Sequence, residues 1–157
     1  MANFKKKWIV ISLTVFVFLL LMTYMFGALF IPAFNVPSKE TFVLTVSDIP
    51  AQASVGDIIT ITAVFKNRSP RAYYIGGSGF PPVKCLIAKN GESIAWPSIM
   101  RCGPIWPFQS QKMEYTYQFE EPDQYWGMID CDIFVGDLSL KYRYHYLAND
   151  NFHITVK

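Results

Sequence analysis

Ile58-Ile59-Thr60-Ile61-Thr62-Ala63-Val64-Phe65-Lys66-Asn67, entered through Ser54-Val55-Gly56-Asp57, is the stretch on which the fold turns. Ile59, Ile61, Ala63 and Phe65 share one face of an extended chain, and Thr60, Thr62 and Lys66 share the other. Successive strand side chains point to opposite sides, so this alternation predicts a half-buried strand and not a helix. The preceding Gly-Asp pair supplies a turn, and Asn67, Ser69 and Pro70 close the segment.

The same period extends in both directions. Upstream, Phe42, Leu44 and Val46 alternate with Val43, Thr45 and Ser47. Downstream comes a short piece at 73–75, then the loop Gly76-Gly77-Ser78-Gly79 and Pro81-Pro82, then a strand marked by Val83, Cys85 and Ile87. Asn90-Gly91 is a strong hairpin signal, with 92–96 as the partner strand. Residues 97–109 hold three prolines and a glycine and read as an irregular loop. Strands are expected again at 112–120, 125–135, 138–147 and 152–156. Short strands at roughly ten-residue spacing, with no helical pattern among them, predict one all-β domain over 41–157, an antiparallel β-sandwich.

The N-terminal part has a different character. Hydrophobic residues make up 52% of the chain and charged residues 17%, and the apolar excess is concentrated in 8–31, where no side chain is charged. Those 24 residues, at about 1.5 Å of helical rise each, are long enough to cross a hydrocarbon core of about 30 Å. A cleaved signal peptide has an apolar region of only about 7–15 residues and a small-x-small site; this run is longer, and bulky residues such as Tyr24, Phe26 and Phe30 crowd its end. The segment is therefore expected to be an uncleaved transmembrane signal anchor. Lys5, Lys6 and Lys7 stand directly before it and the distal flank 32–38 is uncharged, so the basic tail 1–7 is expected in the cytoplasm and the domain outside. Residues 32–40, opened by Pro32 and Pro37, are the expected linker. From Asn35 onward, eleven basic residues face twelve acidic ones, and with no basic stripe nucleic acid is excluded as a partner.

Several of these turns occur in a familiar order. Val55-Gly56-Asp57, the strand ending Phe65-Lys66-Asn67-Arg68-Ser69, Asn90-Gly91 and then Glu121-Pro122-Asp123-Gln124-Tyr125 resemble the extracytoplasmic immunoglobulin-like domains of bacteria, and more distantly the intracellular proteinase inhibitor family. The resemblance implies an immunoglobulin-like sandwich. It also implies that Tyr125 is a corner tyrosine whose hydroxyl ties back to upstream backbone. Asp123-Gln124 replaces the glycine usual before that tyrosine.

Chemistry-bearing residues are sparse. Cys85, Cys102 and Cys131 would lie on the oxidising side, so a disulfide is expected. Cys85 with Cys102 is the favoured pairing, because it would tether the proline-rich loop. Cys85 with Cys131 is the competing pair, and Cys131 alternatively reads as a buried small hydrophobe. No C-x-x-C is present and the histidines lie far from the thiols, so no metal or cofactor is expected. Asp130, Asp132 and Asp137 match no calcium loop, and the 76–79 glycines lack the lysine and helix of a phosphate cradle. Neither His145 nor His153 stands in a nucleophile motif, so enzymatic activity is not expected.

Aromatic residues are the remaining candidates. Tyr142, Tyr144 and Tyr146 recur every second residue on one strand face, and Trp96, Trp106 and Trp126 are scattered through loops and the ends of strands. Exposed, such a set would form a platform for glycan or envelope polymer; otherwise the tyrosines simply cover the core. The expected function is a membrane-anchored, non-enzymatic binding or interaction module whose ligand the sequence does not name; the membrane is its expected partner, together with an envelope or membrane protein or a glycan. Glycan binding is the alternative, and a proteinase-inhibitor-like loop at 99–108 is a third.

Overall fold

In the computed structural model, which describes residues 2–30, 36–47, 49–76, 82–95, 102–136 and 143–157, one helix precedes ten described strands. The helix α1 is Ala2–Phe30. The strands are β1 (Phe42–Val46), β2 (Gln52–Ala53), β3 (Ile58–Asn67), β4 (Tyr73–Gly76), β5 (Val83–Lys89), β6 (Glu92–Ala95), β7 (Gly103–Ile105), β8 (Ser110–Gln118), β9 (Asp123–Gly136) and β10 (Arg143–Val156). They form two sheets, one ordered β1-β3-β8 and one built around β9, and together these make an immunoglobulin-like β-sandwich behind an apolar N-terminal helix.

Residue alternation in β3 does what its sequence dictates: Ile61, Ala63 and Phe65 are fully buried while Thr60 and Lys66 are exposed. Those three residues meet the inner face of the larger sheet, where Ile75, Val83, Ile129, Ile133 and Val135 form the same core. Ring contacts stitch the two sheets, including Phe42 against Tyr73 at 5.4 Å and Phe119 against Tyr125 at 4.9 Å. In β9, every second residue from Tyr125 to Val135 is buried, and the strand pairs β10 along its whole length on one side. On its other side it pairs β5 over Tyr125–Cys131 and β4 over Phe134–Gly136. The corner tyrosine behaves as the resemblance implies, with the Tyr125 hydroxyl donating to the Glu121 carbonyl at 3.0 Å. Asn90 and Gly91 both take positive φ, as the tight hairpin between β5 and β6 requires.

Three expectations change. Residues 97–109 are not wholly irregular, because Gly103–Ile105 pairs with β4 as a short edge strand. The two strands expected at 138–147 and 152–156 are, over the described residues, one strand of 14 residues, β10. Asn149-Asp150-Asn151 would break an isolated strand, but continuous pairing with Asp130, Ile129 and Met128 carries the chain through, an instance of context overriding propensity. The sandwich is not purely antiparallel either, since β2 pairs with the end of β10 in parallel.

Gly127 has a packing role. It lies opposite Phe152 in the ladder, and a Cβ built on it would stand 2.0 Å from Phe152 Cζ, so the ring covers the bare backbone. Gly127→Ala is expected to lower stability by about 1–3 kcal/mol through overpacking. In thermal or urea unfolding the loss should shrink in Gly127→Ala/Phe152→Ala relative to Phe152→Ala alone; equal losses in both backgrounds would rule out the ring as the cause.

Candidate interaction site at the helix–domain junction

β3 ends on Asn67, a polar side chain with 0% exposure. A buried amide needs its hydrogen bonds made. Here Nδ2 donates to the carbonyls of Arg71 at 2.7 Å and Trp106 at 3.0 Å, and Oδ1 accepts from Ser69 N at 2.9 Å. The backbone joins in, with Asn67 N donating to Gln109 O at 2.9 Å and Phe108 N to Ser69 O at 3.2 Å. One residue thus ties the 68–71 loop to the 106–109 turn.

That paired structure receives the end of α1. Ala72 N donates to Met25 O at 2.7 Å, the Phe26 and Trp106 rings meet edge to face at 5.9 Å, and the Arg71 guanidinium sits 4.4 Å over the Tyr24 ring. Ala28 and Leu29 are buried, and Ala28 belongs to the domain core. The helix therefore docks on the sandwich directly, although the sequence suggested only a linker between them. Of that expected linker, 32–35 lies outside the described residues, as does Ile31 at the end of the expected anchor. The helix itself is apolar and long enough, over Lys7–Phe30, to span a bilayer. Lys5 and Lys6 fall in its first turns, and Lys7 is exposed.

The other expected site residues separate. Trp96 and Tyr142 lie outside the described residues. Tyr144 is half-buried, and Tyr146 packs its ring against Phe42 and Phe65 at 6.1 and 5.9 Å, so this strand face turns toward the core. Burial raises the Tyr146 hydroxyl pKa above its ordinary value. Trp106 is the described candidate that stays exposed. The expected disulfide is not made: all three thiols are free, with Cys85 and Cys131 on the inner faces of β5 and β9 and Cys102 in solvent before β7. Cys85 pairs across the ladder with Ile129 and Cys131 with Val83, so the two buried thiols are offset by one cross-strand pair. Cys131 is the small buried hydrophobe that its neighbours Ile129 and Ile133 suggested.

On the outer sheet face, His145 Nε2 lies 2.6 Å from Asp132 Oδ1 and its ring stacks on Phe134 at 4.7 Å, a pair that sequence reading missed because the partners come from different strands. Lys84 and Asp130 form an ion pair beside it at 3.6 Å. Among the described residues no group of acidic, histidine or cysteine side chains is arranged to hold a metal.

No family model matches the sequence, and no curated protein matches it. Solved structures with similarity include a β-glucosidase from Listeria innocua, at 16% identity over 73% of this chain and a TM-score of 0.40. This chain spans only 16% of that enzyme's length. A CARDB domain from Pyrococcus furiosus is similar at 14% identity over 74% of this chain and 94% of its own, with a TM-score of 0.41. The sporulation control protein Spo0M of Bacillus subtilis has 14% identity over 74% of this chain and 49% of its own, with a TM-score of 0.43.

Two outcomes follow from this geometry. Asn67→Ala leaves the Arg71 and Trp106 carbonyls without their donor and is expected to cost about 1–3 kcal/mol, read as a lowered unfolding midpoint. Burial pushes the Cys85 and Cys131 thiols from 9.0 up to about 12. The folded chain thus holds protons that the unfolded chain releases above pH 9, so stability should fall as pH rises from about 9 toward 12. Urea midpoints at pH 8 and above 10 test the sign, and native alkylation at pH 8 should modify Cys102 alone.

Proposed function

We propose that this chain is a single-span, extracytoplasmic interaction module, non-enzymatic, whose sandwich is held against the membrane by its own helix. The observation that carries the reading is the state of α1. From Trp8 to Tyr24 its large apolar side chains are exposed, which water does not tolerate over such a length, while its last turn and a half is fastened to the domain. A helix exposed along most of its length and docked only at one end is suited to lipid around the first part and protein beside the second.

Lysines on the near flank keep that side in the cytoplasm under the positive-inside rule, which places the sandwich outside. The partner on this reading is an envelope or membrane protein within reach of a domain that cannot diffuse away from the bilayer. Glycan binding ranks second: it would rest on Trp106, since the Tyr144 and Tyr146 face is turned inward.

Sidedness has a natural probe in Cys102, the exposed thiol. A membrane-impermeant maleimide added to intact cells should label it, carbonate washing should leave the chain in the membrane pellet, and Lys5/Lys6/Lys7→Glu should reduce outside labelling. Labelling only after lysis, or release into the soluble fraction, would refute the placement. Crosslinking in native membranes that recovers lipid and no protein would count against the interaction role.

A further inference from the structure

The turn at 106–109 carries a residue at an unfavourable backbone angle. Gln109 N donates to Trp106 O at 3.2 Å, and Trp106 N donates to Gln109 Oε1 at 2.8 Å. Pro107 occupies the second position, where its fixed φ fits, but Phe108 occupies the third with φ 58°. Glycine or asparagine is the usual occupant there, because a Cβ is unfavourable at positive φ. Burial does not compensate: Phe108 is 59% exposed and Trp106 46%. A strained backbone that lifts two aromatic side chains into the open points to a use for them.

Their position identifies the use. Trp106 touches Phe26, which stands nineteen residues after Lys7, about 28 Å along a helix rising 1.5 Å per residue. A hydrocarbon core is about 30 Å thick, so with Lys7 at one surface Phe26 and its tryptophan partner are at the other. That is the depth at which tryptophan and other aromatic rings concentrate. Arg71 over Tyr24 and the exposed Arg68 put two guanidinium groups on the adjoining loop, beside this end of the helix, and long basic side chains there can extend toward the headgroups.

We infer that Trp106-Pro107-Phe108 is a second membrane contact, seated in the headgroup region of the outer leaflet beside α1. The contact rests on the anchored reading above and adds that the sandwich is held on the bilayer at two points, the helix and this turn. A domain swinging on a loose linker would not meet that condition. Proline between the rings keeps the tip stiff, and the Asn67 bonds to the Trp106 carbonyl and to Gln109 hold it in line with the helix end.

The test uses the full chain in phosphatidylcholine vesicles, with Cys102→Ser and a nitroxide on Phe108→Cys or, as a distant control, on Ser93→Cys. Ser93 pairs with Ala88, which pairs with Trp126, and Trp126 stands ten residues, about 33 Å, along β9 from Gly136, at the end where β4 and β7 pair. The label at 108 should be several-fold more accessible to oxygen than to a water-soluble nickel chelate, and the label at 93 the reverse. In a second measurement, lipids carrying a nitroxide near the headgroup should quench tryptophan fluorescence less in Trp106→Phe than in the parent. Water-like accessibility at 108, or unchanged quenching, in chains that remain in the vesicle pellet would overturn the second contact and leave the anchor standing. Chains that fail to stay in the vesicles would overturn the anchor, and this inference with it.

Discussion

Asn67 is the residue on which the helix-bearing end of the molecule depends. Its buried amide donates to two carbonyls from separate segments and accepts from a third backbone group, so the 68–71 loop and the 106–109 turn hold each other in place. Ala72 and Trp106 are the groups that receive α1, and both are positioned by that amide. An aspartate could not donate, and an apolar residue would leave the carbonyls bare in a dry environment, where unmade hydrogen bonds are most costly.

The two sheets are unequal, and much of the molecule's chemistry follows from that. Three strands cover only part of the inner face of the larger sheet. Asp150 shows the consequence: it is in phase with Ala148 and Phe152, which pack on the core, yet it is exposed. Where the cover is complete, side chains that could react are made inert. Cys85, Cys131 and Tyr115 all hold their protons more tightly than in water, chiefly through burial. Among the described residues, Cys102 and the Trp106 turn stay accessible outside that cover, as does the pair of His145 with Asp132 on the outer sheet face.

Local signals were legible where one strand carried the whole message. The alternation in β3, the Asn90-Gly91 hairpin and the charge-free run at 8–31 can each be read within a short window, because period, turn chemistry and length are local properties, while the Tyr125 corner came from the family resemblance. Sequence reading failed where pairing crosses the chain. Gly103–Ile105 becomes a strand only because β4 offers an edge, and β10 runs through three turn-forming residues only because β9 is long enough to pair with all of it. The thiols were misjudged for a related reason: spacing in sequence suggested a tether between Cys85 and Cys102, whereas strand phase sent one into the core and left the other outside.

The aromatic residues mark the boundary most clearly. Sequence alone put Tyr144 and Tyr146 on one face, since alternation is a property of any strand, but which face is wet depends on what packs against it, and Phe42 and Phe65 come from the other sheet. By itself, then, the amino-acid order determined a β-sandwich behind a helix long and apolar enough to span a bilayer, because hydrophobic period and length need no partner to be defined. Only the tertiary structure decided that the helix end is fastened to the sandwich and that Trp106 and Phe108 stand exposed beside it, because those facts arise from hydrogen bonds and ring contacts between segments some forty to eighty residues apart.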